Sequence, residues 1–127
     1  MQTYSLLNKI LAFFSFFISF VIYYDTMAPT VSYWDCGEFI AVANTLGVPH
    51  PPGSPFFLLI GRIASILPIG NDIAFRVNLL SPLTSSFAVM FLYLIVVQCV
   101  RHWRGKIKSS TDALIAFGGG FVGALVF

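Results

Sequence analysis

Two carboxylates and one imidazole are the side chains of this sequence best suited to chemistry. Asp35 and Glu38 lie three residues apart, and His50 follows inside a proline-rich segment. Side chains at this spacing share one face of a helix, so a helix here would hold the two carboxylates side by side. A carboxylate held in this way can act as a general base that takes the proton of an attacking hydroxyl group.

The same two carboxylates also have a purely structural interpretation. Asp35 at the N-cap and Glu38 at the third helical position form an acidic version of the capping box. We expect this helix to cover residues 36–46, because apolar residues recur there at helical spacing and Gly47 can end it as a C′ glycine. Spacing alone favours the cap over the catalyst, and the two roles are compatible because a cap holds the carboxylate in place.

The segment around His50 is conformationally restricted. Residues 49–55 contain four prolines, which fix the backbone and forbid a regular helix, so that His50 is presented in one orientation. His50 is then either a solvated loop residue or a contact to a phosphate or a substrate. Arg62 and Arg76 are the next positive charges, and each either extends to lipid headgroups or pairs with a phosphate.

Composition places these residues in a membrane protein. The chain has 127 residues, of which 9% are charged, 57% hydrophobic and 17% aromatic, and its mean hydropathy is +0.87. Water-soluble domains carry about a quarter charged residues. The composition therefore excludes a soluble enzyme, a disordered tail and a nucleic-acid binder with a basic stripe. At about 20 residues per span, the chain holds roughly three or four passes.

Hydropathy predicts where the chain crosses the membrane. The first span covers about residues 10–28, and its alternative is a cleaved signal peptide with a weak cleavage site. A second, uncharged span covers about residues 77–100, and a further span begins in the run 113–127. The apolar run 56–67 is too short to cross the membrane and is interrupted by Arg62, so we expect an interfacial helix there.

The placement of charge orients these spans. Four of the seven basic residues lie within residues 101–108, and basic loops stay in the cytoplasm. By the same rule, Lys9 places the N-terminus in the cytoplasm. Two full spans are then joined by an external loop at about residues 29–75 and followed by a cytoplasmic loop at 101–112. We expect a multi-pass integral membrane protein of a bacterial inner membrane.

The remaining chemistry-bearing residues indicate no cofactor. Cys36 and Cys99 lie on opposite sides of the membrane in this arrangement, so no disulfide joins them. The sequence has neither a metal-ligand cluster of recognisable spacing nor a phosphate-binding glycine loop. Asp35 and Glu38 alone are a weak signal for a metal, so we expect no metal site, with a divalent cation as the open alternative.

The external loop resembles a module of known enzymes. The resemblance is carried by Trp34–Ile40, which contains the pattern D-x-G-E, and by Ala43–Pro55, which contains H-P-P-G-x-P. With the order of spans around them, these motifs resemble the N-terminal module of the GT-C glycosyltransferases, multi-pass enzymes that use polyprenyl-phosphate sugars. The sequence is most similar to glycosyltransferase family 117, the transmembrane O-mannosyltransferase-like family, over roughly residues 29–100.

The resemblance implies a fold and a role for each residue of the loop. The fold would be all-α and integral to the membrane, and this chain would be an N-terminal fragment with two to three transmembrane helices and a helical first external loop. Asp35 would be the catalytic base, and Glu38 would support it or the acceptor. His50 stands where relatives have a lysine near the donor phosphate, and Arg76 where relatives keep an arginine. Trp34 joins His50 and Arg76 among the expected substrate-binding residues.

The resemblance also implies an activity. The full-length protein would be a membrane glycosyltransferase that moves a sugar, such as the hexose mannose, from a polyprenyl-phosphate donor to a hydroxyl group of a protein or glycan on the extracytoplasmic face. The attack would be direct and inverting, and a fragment with so few spans would not catalyse alone. The alternative is a non-catalytic multi-pass membrane protein or a transporter subunit. Transporters place ionisable residues near the bilayer midplane, whereas every charge here lies at a span edge or outside, which favours the enzyme.

Overall fold

The regular structure of the chain is helical. The computed structural model describes residues 2–51, 53–70, 72–105 and 107–126, and it contains no β-strand within them, so the predicted all-α class is confirmed for this part. The helices are α1 (Gln2–Thr26), α2 (Cys36–Thr45), α3 (Pro55–Ile66), α4 (Ile73–Asn78), α5 (Leu80–Arg104), α6 (Ser110–Ala113), a π-helical turn (Leu114–Gly118) and α7 (Gly119–Val126). Four positions within the predicted segments lie outside the described residues, namely Pro52, Asn71, Lys106 and Phe127.

Within the described residues, two helical stretches are long and apolar enough to cross a membrane, judged by length and composition. They are Tyr4–Thr26 and Ile73–Arg104, and the second combines α4 and α5 through Leu79, whose backbone is helical. Both stretches begin before the predicted spans at 10–28 and 77–100. Hydropathy marks only the apolar part of a helix, whereas the backbone hydrogen bonds continue through neighbouring polar residues that tolerate helical geometry.

The helix ends refine the predicted boundaries. Helices α2 and α3 lie within one residue of the predicted ranges 36–46 and 56–67. Leu46, and not Gly47, takes the left-handed conformation after α2, with φ of 53°. The N–H of Gly47 donates to the carbonyl oxygen of Val42 at 3.1 Å, which closes the end of the helix one residue earlier than predicted.

The last helical segment also begins earlier than the apolar run predicts. Ser109 Oγ accepts from the N–H of Asp112 at 3.1 Å, and Asp112 Oδ2 accepts from the N–H of Ser109 at 3.2 Å. This reciprocal capping box starts α6 at Ser110, because it satisfies two backbone donors that the first helical turn leaves open. Since α5 continues to Arg104, the predicted cytoplasmic loop at 101–112 is shorter than expected.

The chain divides into two compact units. The first comprises α1 as far as Tyr23 together with the chain from Leu83 onward, and the second comprises Tyr24–Pro82. In the first unit Tyr93 is fully buried, and its hydroxyl donates to Asn8 Oδ1 at 3.0 Å. The core of this unit consists mainly of small and aromatic side chains: Ala12, Val89, Tyr93, Val97, Ala113, Ala116, Phe117 and Ala124.

One glycine of the C-terminal run allows the close packing expected of that run. A Cβ on Gly120 would lie 2.9 Å from Cγ2 of Val97, so α7 approaches α5 more closely than any larger residue would permit. Cβ atoms on Gly119 and Gly123 would meet nothing within 4 Å. The glycine-rich composition therefore serves helix packing at one position of the run rather than at all of them.

The second unit is built from α2, α3 and α4. Ile40, Ala74 and Val77 form its core, with Phe57 packed against them. Burial of a side chain such as Ile40, which lies in the predicted external loop, contributes about 1.5–3 kcal/mol relative to exposure to water. Helices α2 and α3 meet at Gly61, where an added Cβ would lie only 2.8 Å from the Cβ of Ala43. This contact fixes the position of the helix that carries Glu38.

Helix α4 is held by polar contacts at both of its ends. Asp72 caps it, since Oδ1 accepts from the N–H of Ala74 at 3.1 Å, while Oδ2 accepts from the hydroxyl of Thr30 at 2.7 Å. The hydrogen bond from Thr30 is the main reason that the pKa of Asp72 lies below its usual range. The amide of Asn78 donates to the carbonyl oxygens of Ala28 and Thr30, each at 3.0 Å. The chain that follows α1 is thereby tied to both ends of α4.

Candidate functional site

Asp35 and Glu38 both lie at the start of α2, but they do not form the predicted capping box. Asp35 occupies the N-cap position with φ of −74° and ψ of −2°, and its side chain makes no capping hydrogen bond. An N-cap side chain folds back onto the helix from an extended backbone, and the helical backbone of Asp35 turns its carboxylate away from those donors. The capping interpretation is therefore wrong for the side chains, and both carboxylates are available to other partners.

Glu38 is bound to His50 through both of its oxygens. Oε1 accepts from the backbone N–H of His50 at 2.8 Å, and Oε2 lies 2.8 Å from Nδ1 of the ring. An ionised carboxylate only accepts hydrogen bonds, so Nδ1 must carry a proton and donate it. The neutral imidazole consequently has its lone pair on Nε2.

Asp35 lies on the other side of the imidazole. Its Oδ2 is 4.0 Å from Nε2 of His50, so that the three groups are ordered Glu38, His50, Asp35. The side chains of His50, Asp35 and Glu38 are 47%, 52% and 39% exposed. The structure thus brings together three of the five predicted site residues, on a surface open to solvent.

The contact between Glu38 and His50 shifts the pKa of both groups. The pKa of His50 is raised, first by the hydrogen bond to Glu38, then by the charge of Glu38 and finally by that of Asp35. The pKa of Glu38 is lowered by its side-chain and backbone hydrogen bonds to His50. The pairing therefore stabilises the fold while both groups are charged. Its contribution is lost as pH rises through the raised pKa of His50, and also as pH falls through the lowered pKa of Glu38.

The same three residues supply one possible set of metal ligands. Each offers one ligand atom, and these atoms lie within 4.8 Å of one another. The hydrogen bond between Glu38 and His50 accounts for the closest of these contacts, since Nδ1 cannot both donate a proton and bind a cation. The expectation that the protein has no metal cofactor stays a prediction. Both cysteines, Cys36 and Cys99, are free and exposed.

A cavity of about 310 Å³ adjoins Asp35. Its lining residues come from the start of α2, from α3 and from the α4–α5 region, and they are Trp34, Asp35, Cys36, Phe39, Ile40, Phe57, Val77, Asn78 and Ser81. Among them Asp35 carries the only charge, so the cavity combines a mostly apolar wall with one carboxylate. Such a combination is typical of ligand sites, where a few polar groups orient a ligand held by apolar contacts.

Trp34 presents its indole ring unusually openly. Trp34 is 93% exposed, and its backbone φ of 69° lies in the left-handed region that residues other than glycine rarely adopt. Backbone strain of this kind costs about 1–3 kcal/mol and is concentrated at functional sites. The predicted substrate-binding role of Trp34 is therefore accompanied by a strained backbone beside the cavity.

Sequence reasoning missed most of the cavity wall. Phe57 and Val77 were expected in an interfacial helix and in a span, and no local pattern places either of them near Asp35. Phe39 contacts both sides of the site, with its ring 5.9 Å from the imidazole of His50 and 5.9 Å from the ring of Phe57. The helical spacing correctly placed Phe39 on the apolar face of α2, but it did not predict which side chains Phe39 contacts.

Arg76 has a structural task. Its Nε, Nη1 and Nη2 donate to the carbonyl oxygens of Ile69, Ser65 and Gly70 at 2.9, 3.0 and 3.1 Å. These carbonyls end α3 and form the turn toward α4, where helix termini leave acceptors unsatisfied. Arg76 is not among the described residues that line the cavity. Its predicted role in substrate binding stays a prediction.

Arg62 acts in a similar way on α2. Its Nη1 donates to the carbonyl oxygen of Asn44 and lies 3.3 Å from Oδ1 of the same residue. The contact supplies donors and a positive charge to the last turn of α2, where both are stabilising. The described contact of Arg62 is thus with a neighbouring helix end, and its predicted contact with a lipid headgroup or a phosphate stays a prediction.

Replacing Arg76 by lysine should lower the free energy of unfolding by about 1–2 kcal/mol. One ammonium group cannot reach three carbonyl oxygens, and each lost hydrogen bond costs about 0.5–1.5 kcal/mol. Thermal unfolding of the full-length variant in detergent measures the effect. An unchanged unfolding temperature together with a higher KM for the substrate would contradict the structural role and place Arg76 in substrate binding.

Comparison with known proteins identifies relatives of this chain. The family model described as the protein O-mannosyl-transferase TMEM260 N-terminal domain matches residues 35–127. The protein O-mannosyl-transferase tmem260 of Dictyostelium discoideum is 40% identical over 92 residues, which are 70% of this chain. The protein O-mannosyl-transferase TMEM260 of Mus musculus is 38% identical over 77 residues, or 60% of this chain. The chain spans 11% of the length of each relative, and no solved structure matches it.

Proposed function

Because this chain belongs to the family of the protein O-mannosyl-transferase TMEM260 N-terminal domain, we propose that the full-length protein is a glycosyltransferase that attaches mannose to hydroxyl groups. The observation that carries the proposal is the family match over residues 35–127, which begins at Asp35 and includes Glu38 and His50. Both relatives are named for protein O-mannosyl transfer. The acceptor would accordingly be a serine or threonine hydroxyl of a protein, with a glycan hydroxyl as the other acceptor of the same chemistry.

The donor in this proposal is a polyprenyl-phosphate-linked mannose. The resemblance to the GT-C enzymes supports this choice, and so do two helical stretches long and apolar enough to cross a bilayer that would hold such a lipid. The protein would be multi-pass, with a cytoplasmic N-terminus and with the Asp35 site on the extracytoplasmic face. Both relatives are eukaryotic, so they lend no support to the bacterial inner membrane expected from the sequence.

The proposed reaction is a direct displacement at the anomeric carbon. The acceptor oxygen attacks that carbon while Asp35 takes the hydroxyl proton, and the bond from the carbon to the phosphate oxygen breaks. Polyprenyl phosphate leaves with the electron pair, and the anomeric configuration inverts. The solvent-exposed carboxylate of Asp35 beside an apolar cavity with an aromatic wall supports this assignment, because sugar rings present apolar faces to aromatic side chains.

The function is tested with the full-length protein in sealed vesicles. Radiolabelled polyprenyl-phosphate mannose and GDP-mannose are compared as donors, and secreted proteins of the host are supplied to one face of the membrane at a time. We expect transfer from the lipid-linked donor to acceptors on the extracytoplasmic face. Transfer from GDP-mannose alone would overturn the donor assignment, and transfer from neither donor would overturn the enzyme in favour of a non-catalytic membrane protein.

A further inference from the structure

The order of Glu38, His50 and Asp35 suggests a path for the proton that the reaction releases. We propose that His50 receives from Asp35 the proton taken from the acceptor, and that Glu38 is the positioning residue that keeps Nε2 of His50 free to receive it. This inference rests on the proposed function, since it concerns a proton that only sugar transfer would deliver to Asp35.

The first support is the fixed tautomer of His50. The carboxylate of Glu38 accepts from Nδ1–H of His50 at 2.8 Å and from the backbone N–H of His50 at 2.8 Å. One carboxylate therefore holds both the ring and its backbone. Because Nδ1 keeps its proton, the accepting lone pair of the neutral ring must be on Nε2. Carboxylates that orient a histidine in this way set the tautomer in many catalytic sites.

The second support is the direction in which Nε2 faces. It lies 4.0 Å from Oδ2 of Asp35, a gap that one bridging water or a small side-chain rotation closes. Pro49 and Pro51 flank His50 and restrict its backbone, while the ring of Phe39 meets the imidazole edge-on at 5.9 Å. The imidazole is therefore held beside Asp35 by contacts on several sides.

The third support is the charge around His50. Among the residues that the structure describes, the charged groups that pair with it are Asp35 and Glu38, and no lysine or arginine occurs in residues 29–55. Even with a protonated imidazole, this trio carries one net negative charge. This negative charge would repel a phosphate anion at His50, whereas it would attract a proton. The charge balance therefore favours a proton-handling role over the donor-phosphate contact that the resemblance implies.

The proposed step balances in protons and charge. Asp35 becomes a neutral carboxylic acid when it takes the acceptor proton, and it returns to a carboxylate when it passes that proton to Nε2. The neutral imidazole thereby becomes an imidazolium that keeps Nδ1–H on Glu38, and it then releases the Nε2 proton to water. The step requires a neutral His50, so activity should fall as pH drops through the raised pKa of His50.

The test compares two substitutions of His50 in the full-length protein. His50→Asn keeps a backbone N–H and a side-chain amide for Glu38 but has no base, and His50→Ala leaves space for free imidazole. We expect both variants to lose kcat on the order of 10²-fold with little change in the KM of the donor. Added imidazole should restore His50→Ala, and it should restore neither His50→Asn nor Asp35→Asn.

Glu38→Gln provides an independent measurement. Its amide would donate to Nδ1 and move the imidazole proton to Nε2, so kcat should fall although the side chain is isosteric. The activity that remains should also fall at a lower pH than that of the unaltered protein, because the carboxylate that raises the pKa of His50 is gone.

The outcomes separate this inference from the proposed function. Suppose that the unaltered protein transfers sugar and that Asp35→Asn abolishes the transfer. If His50→Asn then keeps its kcat, the proton transfer from Asp35 to His50 is overturned while the proposed function stands. Failure of imidazole to restore a folded His50→Ala variant would also overturn this proton transfer. An unaltered protein that transfers no sugar would instead remove the proposed function on which the proton transfer rests.

Discussion

Replacing Asp35 by asparagine in the full-length protein should lower the rate of sugar transfer by about 10²–10⁴-fold. Asparagine has nearly the same shape but cannot take the acceptor proton. The side chain of Asp35 makes no capping hydrogen bond and is 52% exposed, so the substitution removes no contact on which α2 depends. The rate is measured as kcat with a lipid-linked donor, and the unfolding temperature checks that the fold is retained.

Asp72→Ala is the matched control for this prediction. Asp72 also begins a helix, but its carboxylate caps α4 and accepts from Thr30, so its loss should cost about 0.5–2 kcal/mol of stability. Transfer per folded molecule should stay close to that of the unaltered protein. If Asp35→Asn and the unaltered protein transfer sugar at equal rates, Asp35 is not the catalytic base.

Replacing Gly61 by leucine should destabilise the second unit by about 3 kcal/mol. Even a Cβ at this position would lie 2.8 Å from the Cβ of Ala43, which is itself completely buried. Both atoms are attached directly to helical backbones, so no side-chain rotation can relieve the clash and α2 must move away from α3. Thermal unfolding of the full-length variant in detergent measures the loss.

Gly119→Leu is the control for this substitution. An added Cβ at Gly119 meets nothing within 4 Å, and leucine favours a helix over glycine by roughly 0.5–1 kcal/mol, so this variant should be as stable as the unaltered protein or slightly more stable. If the two leucine variants unfold at the same temperature, the close contact between α2 and α3 does not hold the unit together. A folded Gly61→Leu variant should also lose transfer activity, because α2 carries Glu38 and Asp35 precedes it at the N-cap.

Local pattern in the sequence was enough to predict the features that depend on neighbouring residues. Long apolar runs predicted the helices now described as α1 and α5. Helical spacing predicted α2, and a short apolar run predicted α3, each to within one residue at both ends. The spacing of Asp35 and Glu38 predicted that both would lie at the start of one helix. These features depend on backbone hydrogen bonds between residues three or four apart, which hydropathy and spacing report directly.

The tertiary structure decided which side chains meet. Glu38 binds His50 instead of capping its own helix, Arg76 holds the end of α3, and Phe57 joins the wall beside Asp35. The first of these contacts depends on the loop that brings His50 back to α2, and the other two depend on how the helices pack. The close approach of α2 and α3 in turn requires that Gly61 has no Cβ. A local pattern records the polarity of a helix face but not the partner of that face. The sequence by itself therefore determined the helices and the candidate residues, while packing alone determined that Asp35, Glu38 and His50 form one cluster.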